Sequence, residues 1–133
     1  MITNFKVGDV FIEKFKVSKE LQNKFIELSN DKNPLHVNDE FAKKVGFKSK
    51  VVQGNLQNCI ISYFIGECLP HKNVMILSQT INFKNPLYLD DSIFLNAKII
   101  SIHSSVSFIE FDYKFKNQLD EVISNGKITL KLL

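Results

Sequence analysis

Between Ile109 and Lys116 the chain alternates without a break. Ile109, Phe111, Tyr113 and Phe115 are separated by Glu110, Asp112, Lys114 and Lys116. A period of two is that of a strand with one buried face, and it predicts a strand here. Phe11 to Val17 carries Phe11, Phe15 and Val17 at even spacing among Glu13, Lys14 and Lys16, which predicts another. Val74 to Phe83 is largely apolar and is bounded by Asn85-Pro86. Ile93 to Ile102 follows a turn at Asp90-Asp91. Asn117 to Asp120 reads as a hairpin turn, and Val122 to Leu132 completes the strands.

The first half has a different period. Ser18 fits a helix N-cap, and Leu21, Phe25 and Leu28 follow at helical spacing, so Lys19 to Ser29 reads as a short amphipathic helix. Asn30 to Val37 reads as a polar loop broken by Pro34. Asn38 fits a second N-cap, with Phe41, Ala42 and Val45 as an apolar face and Gly46 at the C′ position. From Gly54 to Leu69 the chain is apolar nearly all round until Pro70 ends it, which predicts a helix buried on most sides. Asn55, Asn58 and Ser62 make one polar stripe along it. Buried polar groups need partners, so the stripe should meet a hydrogen-bond network, a subunit contact or the wall of a site. Helices early and antiparallel strands late give the class α+β. The simplest architecture wraps a curved antiparallel sheet around the apolar helix.

A chain of 133 residues is expected to form a single domain over 1–133. Apolar residues make up 44 %, with twelve Phe, enough for a proper core, and the 23 % charged residues argue against disorder. Net charge is +3, and every basic residue is Lys. Without the bidentate fork of Arg or a Lys-rich block, nucleic-acid binding is not expected. A small acidic partner remains compatible. Met1 to Asp9 lacks the apolar run of a signal peptide, and the apolar stretch Cys59 to Ile65 is too short for a bilayer. No membrane association is expected, and the cytoplasm is the expected location. On one helix Cys59 and Cys68 would lie about 13 Å apart by axial rise, too far for a disulfide. Cys59 is expected to be a buried apolar residue, and His71 and His103 to be surface residues.

Candidate chemistry gathers in Asn30-Asp31-Lys32-Asn33-Pro34-Leu35-His36. Proton transfer at neutral pH needs a group that titrates nearby, and His supplies one. A neighbouring carboxylate can orient the imidazole or act as a second acid/base. Asp31 capping a turn, with His36 an ordinary loop residue, is the alternative that spacing alone leaves open.

The segment Phe25 to Leu56, FIELSNDKNPLHVNDEFAKKVGFKSKVVQGNL, resembles the hydratase motif of the MaoC-like family, which includes (R)-specific enoyl-CoA hydratases. Asp31, Asn33, Pro34, Leu35 and His36 match the motif, as do Ala42, Phe47 and Gly54, and Gln79 to Pro86 resembles a family strand end. The resemblance implies the hot-dog fold, a curved antiparallel sheet wrapped around a long central helix. It implies Asp31 and His36 as catalytic acid/base residues and the Gly54 backbone as an oxyanion contact. Asn33, Gln53 and Ser62 would support them, Ser62 by holding Asp31. The implied substrate is an acyl-CoA or acyl carrier protein thioester, with no cofactor and no metal, in a homodimer. The family usually has His where this chain has Gln53, which keeps a hydrogen bond but cannot titrate. Two rivals follow. A thioesterase of the same fold needs an acid on the central helix, where only Glu67 is available. A non-catalytic thioester-binding subunit has no need of both Asp31 and His36.

Overall fold

A computed structural model describes residues 4–133. Its elements, in chain order, are β1 (Val10–Lys16), α1 (Lys19–Ser29), α2 (Pro34–Val37), α3 (Asp39–Lys44), α4 (Leu56–Tyr63), β2 (Val74–Gln79), β3 (Asn82–Phe83), β4 (Ser92–His103), β5 (Phe108–Asn117) and β6 (Val122–Leu132). The strands form one antiparallel sheet in the order β1-β4-β5-β6-β2, with β3 also paired to β6. Successive hairpins place β4, β5 and β6 side by side. Asp91 anchors the turn before β4 by accepting from the Tyr88 amide and from Gln118 Nε2, both at 2.9 Å. Asn117 Oδ1 holds the β5–β6 turn through the Leu119 and Glu121 amides.

The inward positions of β4, β5 and β6 build the core with α4 and the turn that continues it: Ile93, Leu95, Phe111, Phe115, Ile123 and Ile128 meet Leu56, Ile60, Ile61 and Phe64. The Phe64 ring packs edge-on to Phe111, centroids 6.2 Å apart. The sheet therefore wraps α4, as the apolar character of that helix predicts. The helix is not buried all round, however. It continues as a π-helical turn over Phe64–Cys68, and Cys59, Ser62, Tyr63 and Glu67 face outward. Cys59 is thus exposed rather than buried, and both cysteines are free thiols.

Local chemistry explains the smaller elements. Ser18 Oγ accepts from the Leu21 amide at 3.1 Å and starts α1, while Asn30 closes it in the left-handed region at φ 56°. Leu21 and Phe25 pack on the core, but Leu28 is exposed, and the residue that α1 buries is Gln22. Asn38 Oδ1 caps α3 through the Phe41 amide. Gly46, at φ 104°, donates to Lys43 O, and Phe47 donates to Ala42 O, a Schellman closure. Pro34 does not break a loop. It sits in the first turn of α2, where its fixed φ suits a helix and its missing N–H costs nothing.

Candidate active site

α2 is one turn long, and it carries His36. Asn33 Oδ1 caps it by accepting from the Leu35 amide at 3.0 Å. One step earlier, Asp31 Oδ1 accepts from the Asn33 amide at 3.1 Å. These two turns leave Asp31 Oδ2 3.7 Å from His36 Nε2. The imidazole is mostly buried, at 16 % exposure, and the carboxylate is more open, at 40 %.

His36 Nδ1 lies 2.6 Å from the Val51 carbonyl oxygen. A carbonyl oxygen can only accept, so Nδ1 carries the proton. In the neutral ring Nε2 is then bare, an acceptor turned toward Asp31. Two acceptors at 3.7 Å cannot hydrogen-bond each other directly. They can hold one donor molecule between them.

Both residues line a cavity of about 380 Å³ with Gln53, Gly54, Asn55, Gln57, Phe83 and Lys84, while Phe47, Val52 and Leu87 supply apolar wall. α4 points its head into this cavity. The first amides to find carbonyls are Leu56, on Gln53 O at 3.1 Å, and Gln57, on Gly54 O at 3.0 Å. The amides of Gly54 and Asn55, just ahead of the helix, have no backbone partner among the described residues. They lie at the positive end of the helix dipole, where a developing negative charge is stabilised. Gly54 also has a steric role. A Cβ there would come within 2.6 Å of the Phe83 ring, so a larger residue would displace the aromatic wall.

Gln53 is buried, and its Nε2 donates to Asp31 O at 3.1 Å. Gln22, Gln57 and Ser124 were not singled out in the sequence. All three are buried; Gln22 bonds Gln53, and Gln57 accepts from the Ser124 hydroxyl. A glutamine on the inward face of an otherwise amphipathic helix, as Gln22 is, was the available signal.

The predicted polar stripe does not enter the cavity as a unit. Asn55 lines it; Asn58 accepts from Gln79 Nε2. Ser62 is exposed on the outward face of α4 and does not line the cavity, so within one chain it does not hold Asp31. Glu67 is exposed and tied to Lys72 at 2.8 Å, outside the cavity. His103 is exposed as expected and pairs with Glu110 at 3.0 Å; Ser101 and His103 hold the Glu110 carboxyl below its ordinary pKa. His71 differs from expectation: it is half-buried against Phe5, its Nε2 enclosed without a partner among the described residues. Burial, and then Glu13, push the Cys68 thiol up, which keeps it un-ionised. Among the described residues, no group of His, Cys, Asp and Glu is placed to hold a metal ion, and no helix is long and apolar enough to cross a membrane.

Comparison with known proteins identifies the fold and the family. A 3-hydroxyacyl-[acyl-carrier-protein] dehydratase, mitochondrial, of Arabidopsis thaliana is 32 % identical over 130 residues, covering 96 % of this chain and 77 % of that protein. An (R)-specific enoyl-CoA hydratase of Aeromonas caviae is 27 % identical over 108 residues, covering 81 % of each. The solved structure of the (R)-hydratase from A. caviae superposes with a TM-score of 0.90 at 24 % identity, covering 97 % of this chain and 98 % of that one, and an unliganded R-hydratase of Pseudomonas aeruginosa with 0.89 at 22 %, covering 98 % and 83 %. These likenesses establish the hot-dog fold. The MaoC like domain matches residues 8–111, and the chain belongs to the MaoC-like domain family.

Proposed function

We propose that this chain is a hydro-lyase that adds water reversibly across the α,β double bond of an acyl thioester to give a (R)-3-hydroxyacyl thioester, with Asp31 and His36 as the acid/base pair. The carrying observation is the placement of the His36 ring, which in its neutral form leaves Nε2 bare. Its Nδ1 is committed to Val51 O, so Nε2 and the Asp31 carboxylate form two acceptors 3.7 Å apart at a cavity wall. One water can give a hydrogen bond to each. As its oxygen bonds to the β-carbon, the pair takes a proton from the water and returns one to the α-carbon, so its net protonation is unchanged over the cycle. Negative charge passes through the thioester oxygen as an enolate. The Gly54 and Asn55 amides at the head of α4 support a contact there. The named activities of the relatives, a hydratase and a dehydratase, support the reaction in its two directions.

The thioester handle is a CoA or a carrier protein, since the two relatives are named for one of each. The proposal treats 1–133 as one domain and places it in the cytoplasm. The thioesterase reading loses its acid, because Glu67 lies outside the cavity. A non-catalytic binding role leaves the paired Asp31 and His36 unexplained.

The active form is a homodimer. β2 is an edge strand, and Met75, Ile76 and Leu77 on it are exposed, as is Tyr63 on the outward face of α4. An unpaired apolar edge is a template for a second chain. Ser62 lies on that same outward face, so a partner subunit could bring it nearer a site.

The test is the loss of enoyl-thioester absorbance with crotonyl-CoA and longer homologues, followed by chiral analysis of the product. Hydration to the (R)-alcohol is expected. Release of free thiol with no hydration would replace the reading with the thioesterase.

A further inference from the structure

Asp31 and His36 are held by more than their own turns. Gln22, at 2 % exposure, donates from Nε2 to His36 O at 3.3 Å and to Gln53 Oε1 at 3.3 Å. Gln53, also at 2 % exposure, donates from Nε2 to Asp31 O at 3.1 Å. Chemistry fixes which way each amide faces. The backbone oxygens of His36 and Asp31 only accept, so an N–H must point at each. A directed relay results, from His36 O through the two glutamines to Asp31 O. It links the backbone of both acid/base residues to α1 and to the lead into α4. Neither glutamine bonds the reacting side-chain atoms of the pair.

We propose that Gln22 and Gln53 are positioning residues that lock the segment from Asp31 to His36, and that glutamine at 53 makes this lock insensitive to pH. The proposal rests on the acid/base reading above. Buried polar groups are costly to leave unpaired. Loss of Gln22 frees His36 O and Gln53 Oε1, and loss of Gln53 frees Asp31 O, so either break loosens one end of the segment. A displacement of about 1 Å in a catalytic group can lower turnover by about 10²-fold. A neutral imidazole at position 53 could copy the relay, with one N–H toward Asp31 O and a lone pair toward Gln22. Once protonated it would offer N–H to Gln22 Nε2, donor against donor, and the link would break. Glutamine has no such state. The titratable groups that share the cavity with position 53 are Asp31, His36 on α2 and Lys84 after β3, while α1 turns only the neutral Gln22 toward it. All remain in the variants, so a difference profile against the natural protein isolates the relay.

The experiment compares the natural protein with Gln22→Met and Gln53→His. It reads kcat and KM on crotonyl-CoA, or the longest homologue accepted, from pH 5.5 to 8.5. It also follows the His36 ring resonances by NMR. Gln22→Met should lower kcat by about tenfold to about 10²-fold, with KM changing by less than about threefold, and should shift or broaden the His36 signals. Gln53→His should lose turnover relative to the natural protein as pH falls through about 6.5, the ordinary histidine range. A Gln22→Met protein with unaltered kcat and unaltered His36 signals would overturn the lock. A Gln53→His profile parallel to that of the natural protein would overturn the pH claim, and this arm decides alone if Gln22→Met fails to fold. Should the natural protein not hydrate any enoyl thioester, the functional reading fails, while the His36 resonances still report on the lock.

Discussion

A neutral imidazole has one donor and one acceptor, and at His36 the donor is committed to Val51 O. The carboxylate of Asp31 faces Nε2 and therefore does not orient the ring through Nδ1. A backbone carbonyl from the strand-like segment before α4 does so, and this frees Asp31 to share a water. That division was not readable from residue types, because a carbonyl acceptor leaves no mark in the sequence. The pair itself was readable, through Asp31, Asn33, Pro34 and His36. Ser62 was not placed correctly for a single chain: a stripe on a helical wheel gives a shared face but not what that face meets. A second residue-scale expectation concerns Tyr113. Its hydroxyl donates to Thr80 O at 2.6 Å, and burial pushes its pKa from 10.0 to about 12. The folded state keeps its proton where the unfolded state has lost it. The stability that Tyr113 contributes is complete below pH 10 and is lost as pH rises from 10 to about 12. Among the three tyrosines, one should ionise only near pH 12 in a tyrosinate absorbance titration. Its disappearance in Tyr113→Phe identifies it; a titration with no ionisation delayed to about 12 would contradict the burial.

At the scale of elements, long segments with one clear period came through almost unchanged. β5 and β6 fall where alternation and the Asn117 turn predict them, and Ser18 and Asn38 cap the helices they were assigned. The segment Val74 to Phe83 did not survive as one strand. It divides at Thr80 and Ile81 into β2 and β3, and the register with β6 already shifts between Ile76 and Ser78. Gly126 on β6 lies beneath this division. A Cβ there would come within 2.0 Å of Thr80 O, a clash with backbone that no side-chain rotation relieves. The constraint is between distant segments, so local pattern could not show it. Gly126→Ala should cost about 1–3 kcal/mol, the usual range for overpacking. The check is the urea midpoint of the two proteins. An unchanged midpoint would mean that the β2–β3 passage sits farther from β6 than 2.0 Å implies. The missed turn of α2 has a simple cause: Pro34 was read as a breaker when it was the first residue of a helix.

For the whole molecule the main correction concerns α4. Apolar character nearly all round predicted burial on most sides, and Cys59 among the buried residues, yet Cys59, Tyr63 and Glu67 face outward. Tyr63, whose ring packs edge-on to Phe15 of β1, is left half exposed, and so are Met75, Ile76 and Leu77 of the edge strand β2. Composition counts such residues as core without saying which chain buries them. The proposed homodimer would cover them, with a mass near twice 15.3 kDa. Leu77→Lys places a charge on the edge, a device that blocks strand pairing. Light scattering at micromolar concentration should show the natural protein as a dimer and Leu77→Lys shifted toward 15.3 kDa. A monomeric natural protein would remove the dimer from the account.

The central claim is that Asp31 and His36 act together on one water. Its most direct test is turnover of an accepted enoyl thioester by the natural protein, Asp31→Asn, His36→Ala and the double variant, with circular dichroism confirming that each is folded. Asp31→Asn keeps the shape and removes the basic oxygen; His36→Ala removes the bare Nε2. Each should lower turnover by about 10²–10⁴-fold. The double variant should be little worse than the worse single one, because residues acting as a unit are not additive. Near-natural turnover in either single variant, or losses that simply multiply in the double, would contradict the shared water.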